Sequence, residues 1–334
     1  MSTIYEVAKL AGVSLATVSR VTNKNPRVSN KTRQKVVDAM NTLGYRPNAI
    51  AQSLASSCSN SVGILVSELH GAFFGEMMAG IESELREAGK HVIITTGHSE
   101  EEKEKQGIEF LLQRNCDALI IHVEAVNDDY LKQLCQGDIP VYIVSRYVDG
   151  LNENCISLDN ELGGYLATEQ VIQQGHKDIA YIAGQQFKPD AKDRVAGHKR
   201  ALNRYNIPFN KRLFYVGDFY EIGGYNGMKH FIEQQEKFTS IVCANDEIAS
   251  GVMDYAREQG INLPDELSIV GFDNSIFAQY LYPKLTTINN PVGEMGRMAA
   301  KLVLRNVYQQ RIPTITFAFQ PSVVSRNSIT KVNV

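Results

Sequence analysis

The chain has 334 residues, of which 43% are hydrophobic and 21% charged, with a net charge of −3. That length allows two or three domains with cores of their own, and no run of about twenty apolar residues exists that could span a membrane. Five scattered cysteines (Cys58, Cys116, Cys135, Cys155, Cys243) without C-x-x-C spacing, and an N-terminus with no secretory pattern, predict free thiols in a reducing cytoplasm rather than disulfides or a zinc site.

The first elements are helical. Thr3 and Glu6 have the T-x-x-E form of a capping box. Ile4, Val7, Ala8 and Ala11 then recur at helical spacing, and Gly12 can close that helix. Ser14 caps a second helix only two residues later. Its Val18 and Val21 turn back towards the first helix, leaving Leu15, Ala16, Ser19 and Arg20 outward. A short, mostly neutral face ending in one cation suits a helix lying in a DNA major groove. Ser29 caps a third helix with Val36, Met40 and Leu43 on one face, and Gly44 stops it. Eight Lys and Arg against Glu6 and Asp38 leave residues 1–60 at +6, so the remainder carries −9. A basic head on an acidic body fits a chain that meets a polyanion at one end only.

Tyr45-Arg46-Pro47 interrupts the chain, Asn48 can cap again, and residues 49–55 read as a helix of about two turns. A helix that short needs a partner, since nucleation outweighs its few hydrogen bonds. The polar residues 56–61 that follow offer none.

From residue 61 strands alternate with helices. Strands are predicted at 62–66, 91–96, 118–122, 141–145, 179–184, 214–218, 241–245 and 267–272. They are near-continuous apolar runs, as for parallel strands covered on both faces. Helices are predicted at 74–88, 101–114, 160–174, 194–204, 224–236 and 247–259. This is a parallel α/β pattern. MMAGIESEL after the first strand and RVAGHKRAL after the fifth share A-G-x-x-x-x-L, a faint internal echo suggesting two similar subdomains.

Ligands of open α/β sheets bind at the carboxyl ends of strands. There the sequence places His70, Phe73, Phe74, Arg146, Asp159, Asp190, Arg194, Asp218, Phe219, Asn245, Asp246, Glu247, Phe272 and Asp273. Carboxylates, an amide and arginines can bond adjacent sugar hydroxyls, while an aromatic ring packs on the C–H face of a pyranose. The effector-binding set predicted from these is Phe73, Phe74, Arg146, Asp190, Arg194, Phe219, Asn245, Glu247 and Asp273; His98 and His122 are read as structural. No G-x-G-x-x-G, phosphate-binding loop or nucleophile elbow is present, and the histidines lack metal-ligand spacing. Catalysis, a metal and a cofactor are therefore not expected.

The run VAKLAGVSLATVSRVTN, then VSNKTRQKVVDAMNTLGYRPNAIAQSLA, resembles the headpiece and hinge of the lactose/galactose repressor family. ENCISLD, YLATEQVIQQGH and DAKDR resemble the galactose-repressor branch. The resemblance implies a headpiece over 1–46, a hinge over 47–60 and a two-lobed periplasmic-binding-protein-like core over 61–334. The N-lobe would take 61–159 and 289–320, and the C-lobe 160–288 and 321–334. It also implies a homodimer on double-stranded palindromic operator DNA, and no leucine heptad follows Arg326 to build a tetramer. Arg20 would read guanine and Leu15 and Ala16 would make apolar base contacts, while Thr3, Ser14, Thr17, Ser19, Asn23 and Asn48 complete the DNA-binding set. Leu54 would wedge between base pairs in the minor groove. Positions matching Arg194, Phe219, Asn245 and Asp273 line the family's effector cleft. The lactose repressor stacks its sugar on tryptophan; this chain has none, and Phe219 would take over. The implied function is a repressor that leaves its operator on binding a small sugar such as galactose, with a β-glucoside, another hexose or a purine co-repressor as alternatives. A solute-binding transport protein and a Rossmann-type enzyme are the disfavoured classes.

Overall fold

The computed structural model describes residues 2–23, 25–46 and 58–332. The chain divides into two compact units, Met1–Asn60 and Ser61–Val334. The predicted hinge helix, with Asn48 and Leu54, lies outside the described residues.

The first unit holds α1 (Ile4–Ala11), α2 (Leu15–Thr22) and α3 (Asn30–Leu43). Thr3 and Glu6 close the capping box on α1, the Thr3 N–H donating to Glu6 Oε2 at 2.7 Å. Gly12 ends α1 at φ 65°, and the Val13 N–H returns to the Ala8 carbonyl at 3.0 Å. Ser14 Oγ then accepts the Thr17 N–H at 3.2 Å, so α2 begins at once in a new direction. Val7, Val18 and Val36 are wholly buried, with Val21, Ala8 and Ala39 around them. Helices of eight residues are marginal in water alone, and this shared core is what holds them.

The second unit contains two six-stranded sheets. One comprises β1 (Ser61–Val66), β2 (His91–Thr96), β3 (Ala118–Ile121), β4 (Val141–Val144), β5 (Cys155–Leu158) and β11 (Ala318–Phe319), in the order β11-β5-β4-β3-β1-β2. The other comprises β6 (Ile179–Ala183), β7 (Phe214–Val216), β8 (Ser240–Cys243), β9 (Ser268–Asp273), β10 (Thr286–Asn289) and β12 (Ser322–Val324), in the order β12-β10-β9-β8-β6-β7. All pairings are parallel except β10 with β12. Flanking the first sheet are α4 (Ala72–Glu87), α5 (Glu101–Gln113), α6 (Asp128–Cys135) and α11 (Val292–Asn306). Flanking the second are α7 (Asn160–Gln173), α8 (Pro189–Arg204), α9 (Glu221–Glu233) and α10 (Asp246–Glu258). The chain passes between the lobes three times: from β5 into α7, from β10 into α11, and from β11 into β12.

Two expectations need correction. Continuous burial fails at β2, where Ile94 is 40% exposed, and at β7, where Val216 is 47% exposed. Both are edge strands, with one flank uncovered. The predicted strands also omit β5, β10, β11 and β12, the crossover strands: Ser157 interrupts the apolar run of β5, Thr286, Thr287 and Asn289 leave β10 mostly polar, and β11 and β12 have only two and three residues. Among the described residues no helix is long and apolar enough to cross a membrane. Burial pushes the thiols of Cys116 and Cys135 up to about 11, so neither is activated as a nucleophile.

The internal echo has a packing origin. Its glycines are Gly80 of α4 and Gly197 of α8. A Cβ at Gly80 would lie 2.1 Å from the Gly293 carbonyl oxygen of α11, and one at Gly197 would lie 1.9 Å from the Glu161 carbonyl oxygen of α7. In each lobe the helix carrying the repeat meets its neighbour backbone to backbone. Gly197→Ala is therefore expected to destabilise the core by about 3 kcal/mol, since the clash is with backbone that has no rotamer to change. Urea unfolding would measure it; an unchanged midpoint would mean the α7–α8 packing is looser than this.

Candidate functional site

The carboxyl ends of both sheets face a common cleft. The N-lobe contributes Ser67, Glu68, His70 and Gly71 from the loop after β1, and Phe73 and Phe74 from the first turn of α4. Ser99 follows β2, and His122 and Glu124 follow β3. The C-lobe contributes Lys188, Asp190, Arg194, Asp218, Phe219, Tyr220, Asn245, Glu247 and Asp273.

The N-lobe wall is partly aromatic. Phe73 and Phe74 meet edge to face at 5.2 Å, and both pack edge-on to His122, at 5.8 and 5.4 Å. His122, expected to be structural only, thus forms cleft wall as well. The Glu124 loop is fixed from behind by Glu104, a fully buried carboxylate that accepts the backbone N–H groups of 124, 125 and 126 at 2.8–3.1 Å. Three such donors meet the hydrogen-bonding demand of a charge taken out of water.

On the C-lobe, α8 begins five residues before its predicted start because Pro189 occupies the first turn, where its missing N–H costs nothing. Asp190 and Arg194 therefore lie one helical turn apart, on one face. Arg194 is 3% exposed. Its Nε donates to Asn160 Oδ1 at 3.0 Å and its Nη1 to the Ala244 carbonyl at 2.6 Å, while Nη2 lies 3.6 Å from both Asp190 and Asp273. The guanidinium stacks on the buried Phe272 ring, 3.7 Å from its centroid. Phe219 holds a φ of 74°, secured by Asn245 Nδ2 donating to its carbonyl at 2.9 Å. Its ring lies over Gly184, where any Cβ would fall 2.1 Å from Cε2.

Asp273 also sits at positive φ, 106°. The turn it opens is held by the buried Asp246, which accepts the Ser275 N–H at 2.7 Å, the Ser275 hydroxyl at 2.9 Å and the Thr287 hydroxyl at 2.6 Å. Such strain persists only where surrounding bonds over-determine it. Asp246 thus positions Asp273 and is not itself among the cleft-lining residues.

The cleft brings together Phe73, Phe74, Asp190, Arg194, Phe219, Asn245, Glu247 and Asp273, but not Arg146. Arg146 donates to the Val126 carbonyl at 2.9 Å and pairs with Asp128 at 2.7 Å. It follows β4, one strand further from the cleft, and braces the loop beyond Glu124. Asp159 is the N-cap of α7, accepting the Leu162 N–H at 2.8 Å. His98 stands outside the cleft, 3.0 Å from the Thr96 hydroxyl. Sequence reasoning missed Ser67, Glu68, Ser99, Glu124, Lys188 and Tyr220. Strand-end position could have flagged Ser67, Glu68, Ser99 and Glu124, which follow β1, β2 and β3 within three residues; Lys188 and Tyr220 lie further into their loops.

The lining is acidic. Glu68, Glu124, Asp190, Asp218, Glu247 and Asp273 stand against Lys188 and Arg194, and both cations are already paired. Burial pushes Asp273 up to about 6, against the opposing pull of Arg194. Burial and the neighbouring Glu221 and Asp273 push Glu247 up to about 7. Burial alone would raise Glu124 too, but the fields of His122 and Lys188 outweigh it and hold Glu124 below its ordinary range. The raised Glu247 carboxyl means that folding takes up a proton between its ordinary 4.5 and about 7, so its contribution to stability is lost as pH rises through that window. Glu247→Gln is accordingly expected to gain about 1–2 kcal/mol on the wild type between pH 5 and pH 8, after allowance for partial exposure. Melting curves at the two pH values test this; parallel pH profiles would refute it.

In the first unit, α2 presents Leu15, Ala16, Ser19 and Arg20 to solvent, with Asn23 exposed at its C-cap. Ser14 and Thr17 are partly spent on each other, their hydroxyl oxygens 2.9 Å apart, and Thr3 is engaged in the capping box.

Residues 3–48 match the description of bacterial regulatory proteins of the lacI family, and residues 168–329 match a periplasmic binding protein-like domain. The HTH-type transcriptional regulator GalR of Escherichia coli (strain K12) is 38% identical over 329 residues, covering 98% of this chain and 96% of the relative. The HTH-type transcriptional repressor PurR of Vibrio atlanticus (strain LGP32) is 32% identical over 334 residues, covering 100% of each. The solved structure of the lac repressor dimer bound to operator and the anti-inducer ONPF is similar with a TM-score of 0.86 at 29% identity, over 98% of this chain and 99% of that one. The curated relatives are transcriptional regulators, not enzymes.

Proposed function

We propose, since the chain belongs to the lacI family of bacterial regulatory proteins, that this DNA-binding transcriptional regulator takes a small neutral sugar, a hexose such as galactose, in its interlobe cleft and leaves a palindromic operator when the sugar binds. The observation that carries the sugar is the pairing of one aromatic ring, Phe219, with an acidic rim whose cations are already neutralised. A polyol hydroxyl donates to carboxylates, and its C–H face packs on a ring. A phosphorylated or carboxylated ligand would meet six acidic side chains with no cation left over.

Two recognition helices per operator require two copies. The lac repressor relative is a dimer on its operator. Support for a homodimer here comes from the C-lobe surface, where Ile222, Tyr225 and Leu281 line a shallow groove beside Tyr280 and Tyr282, 76% and 86% exposed. Exposed apolar side chains rimmed by charged ones, here Glu221, Asp254 and Arg257, suit an association face. A regulator of this class acts in the cytoplasm, where its DNA is.

The test is a thermal-shift screen of the full chain against galactose, glucose, their β-glycosides and free purines, followed by operator binding with the best hit. A ligand at a hundred times its dissociation constant stabilises by about 2.7 kcal/mol. A hexose that raises the melting temperature and releases DNA supports the reading. A purine that alone raises it and tightens DNA binding replaces the sugar with a co-repressor.

A further inference from the structure

Among the described residues, two side-chain pairs join the lobes across the cleft. Lys188 Nζ, just before α8, meets Glu124 Oε2 at 3.0 Å. The Tyr220 hydroxyl donates to Glu68 Oε1.

Both have a particular place in the topology. The strands that carry the crossovers, β5, β10, β11 and β12, lie towards one edge of their sheets. The opposite edges are β1-β2 in one lobe and β6-β7 in the other. Glu68 follows β1, Lys188 follows β6 and Tyr220 follows β7, while Glu124 follows β3, the neighbour of β1. The Glu124–Lys188 and Glu68–Tyr220 pairs therefore stand at the mouth, on the side away from the crossovers.

The ion pair is also built to stay. Only 11% of the Lys188 side chain and 9% of the Glu124 side chain is exposed. Glu124 Oε2 accepts in addition from the Ser67 hydroxyl at 2.9 Å and from the Ser99 hydroxyl, and its loop is anchored by Glu104. Lys188 Nζ sits 5.3 Å from the centre of the Phe219 ring. Separating such a pair leaves each charge buried without compensation, which is far more costly than opening an exposed one.

We propose that Glu124–Lys188, with Glu68–Tyr220 beside it, is a size gate that confines the effector to a single unsubstituted sugar ring and rejects glycosides with a bulky aglycone. This rests on the sugar reading above. A ring packed on Phe219 has sheet ends above and below it and the crossovers behind it, so a large substituent can leave only through the mouth. There it displaces the ion pair. A free hexose ends in a hydroxyl and leaves the pair intact.

The experiment is calorimetric titration of the full-length protein with galactose and glucose, each beside its 4-nitrophenyl β-glycoside. The wild type is expected to bind the free hexose at least 100-fold more tightly than its aryl glycoside. In Glu124→Ala/Lys188→Ala both charges go together, so neither is stranded, and the hexose-to-glycoside ratio is expected to fall at least tenfold. Glu124→Gln/Lys188→Met, which removes both charges while keeping most of the side-chain volume, is expected to fall between the two and serves if the alanine variant does not fold. A wild type that binds the aryl glycoside as tightly as the hexose overturns the gate, as does an unchanged ratio in the variants. If no hexose or glycoside binds at all, the sugar reading itself fails; if the hexose binds and the ratio stays put, only the gate does.

Discussion

Arg194→Ala is expected to abolish the effector response and to cost the core about 3–5 kcal/mol, because it breaks a buried charge pair from one side. As a ligand-binding group alone, Arg194 could be removed with little effect on folding. The structure gives it a second task. Its guanidinium ties the end of β8 (Ala244), the start of α7 (Asn160), its own helix (Asp190) and the end of β9 (Asp273) into one knot over Phe272. Without it, Asp190 and Asp273 face each other with no cation between them, and Asp273 is already raised by burial.

Arg194→Lys separates the two tasks. A lysine keeps the charge but has no fork with which to reach Asn160, Ala244 and both carboxylates at once. It should retain most of the stability and lose sugar affinity by tenfold or more. Urea unfolding, together with operator binding measured with and without sugar, reads both effects. An alanine variant with the wild-type midpoint and a normal response would remove Arg194 from the site and from the knot.

Arg194 also shows where reading a sequence reaches its limit. The helix-turn-helix was legible because its signals are local: a cap at Thr3, a stop at Gly12, a cap at Ser14, and valines at helical spacing. The parallel core was legible from buried strands such as β1, β3 and β4, and most of the cleft followed from the rule that ligands meet strand ends. That rule says which loop a residue is in, not where its side chain goes. Arg146 fits the rule as well as Arg194 does, yet it turns away to Val126 and Asp128. The Glu124–Lys188 pair joins loops of different lobes and could not be read from either loop. The echo A-G-x-x-x-x-L was visible, but its cause, backbone packing at Gly80 and Gly197, needed the neighbouring helices in place.

The second large effect is expected in the first unit. Arg20→Ala should lower operator affinity by roughly 30-fold to 10⁴-fold, since a bidentate arginine–guanine pair is worth about 1–3 kcal/mol and a dimer would forfeit it twice. The surface of α2 concentrates that burden. Leu15 and Ala16 can offer only apolar surface, Ser14 and Thr17 are engaged with each other, and Arg20 is the one cation on the exposed face of the helix. Folding should be unaffected, because Arg20 is exposed and the unit's core is made of Val7, Val18, Val21 and Val36. Anisotropy titrations on the operator and on single-base variants, each at several salt concentrations, distinguish two modes of weakening. If Arg20 reads a base, the variant stops discriminating at one position in each half-site. If it only neutralises phosphate, binding weakens evenly across sequences and the salt slope falls by about 0.9 for each phosphate no longer neutralised. Affinity within threefold of the wild type would mean that α2 does not read the operator through Arg20, and the readout would have to come from elsewhere in the headpiece.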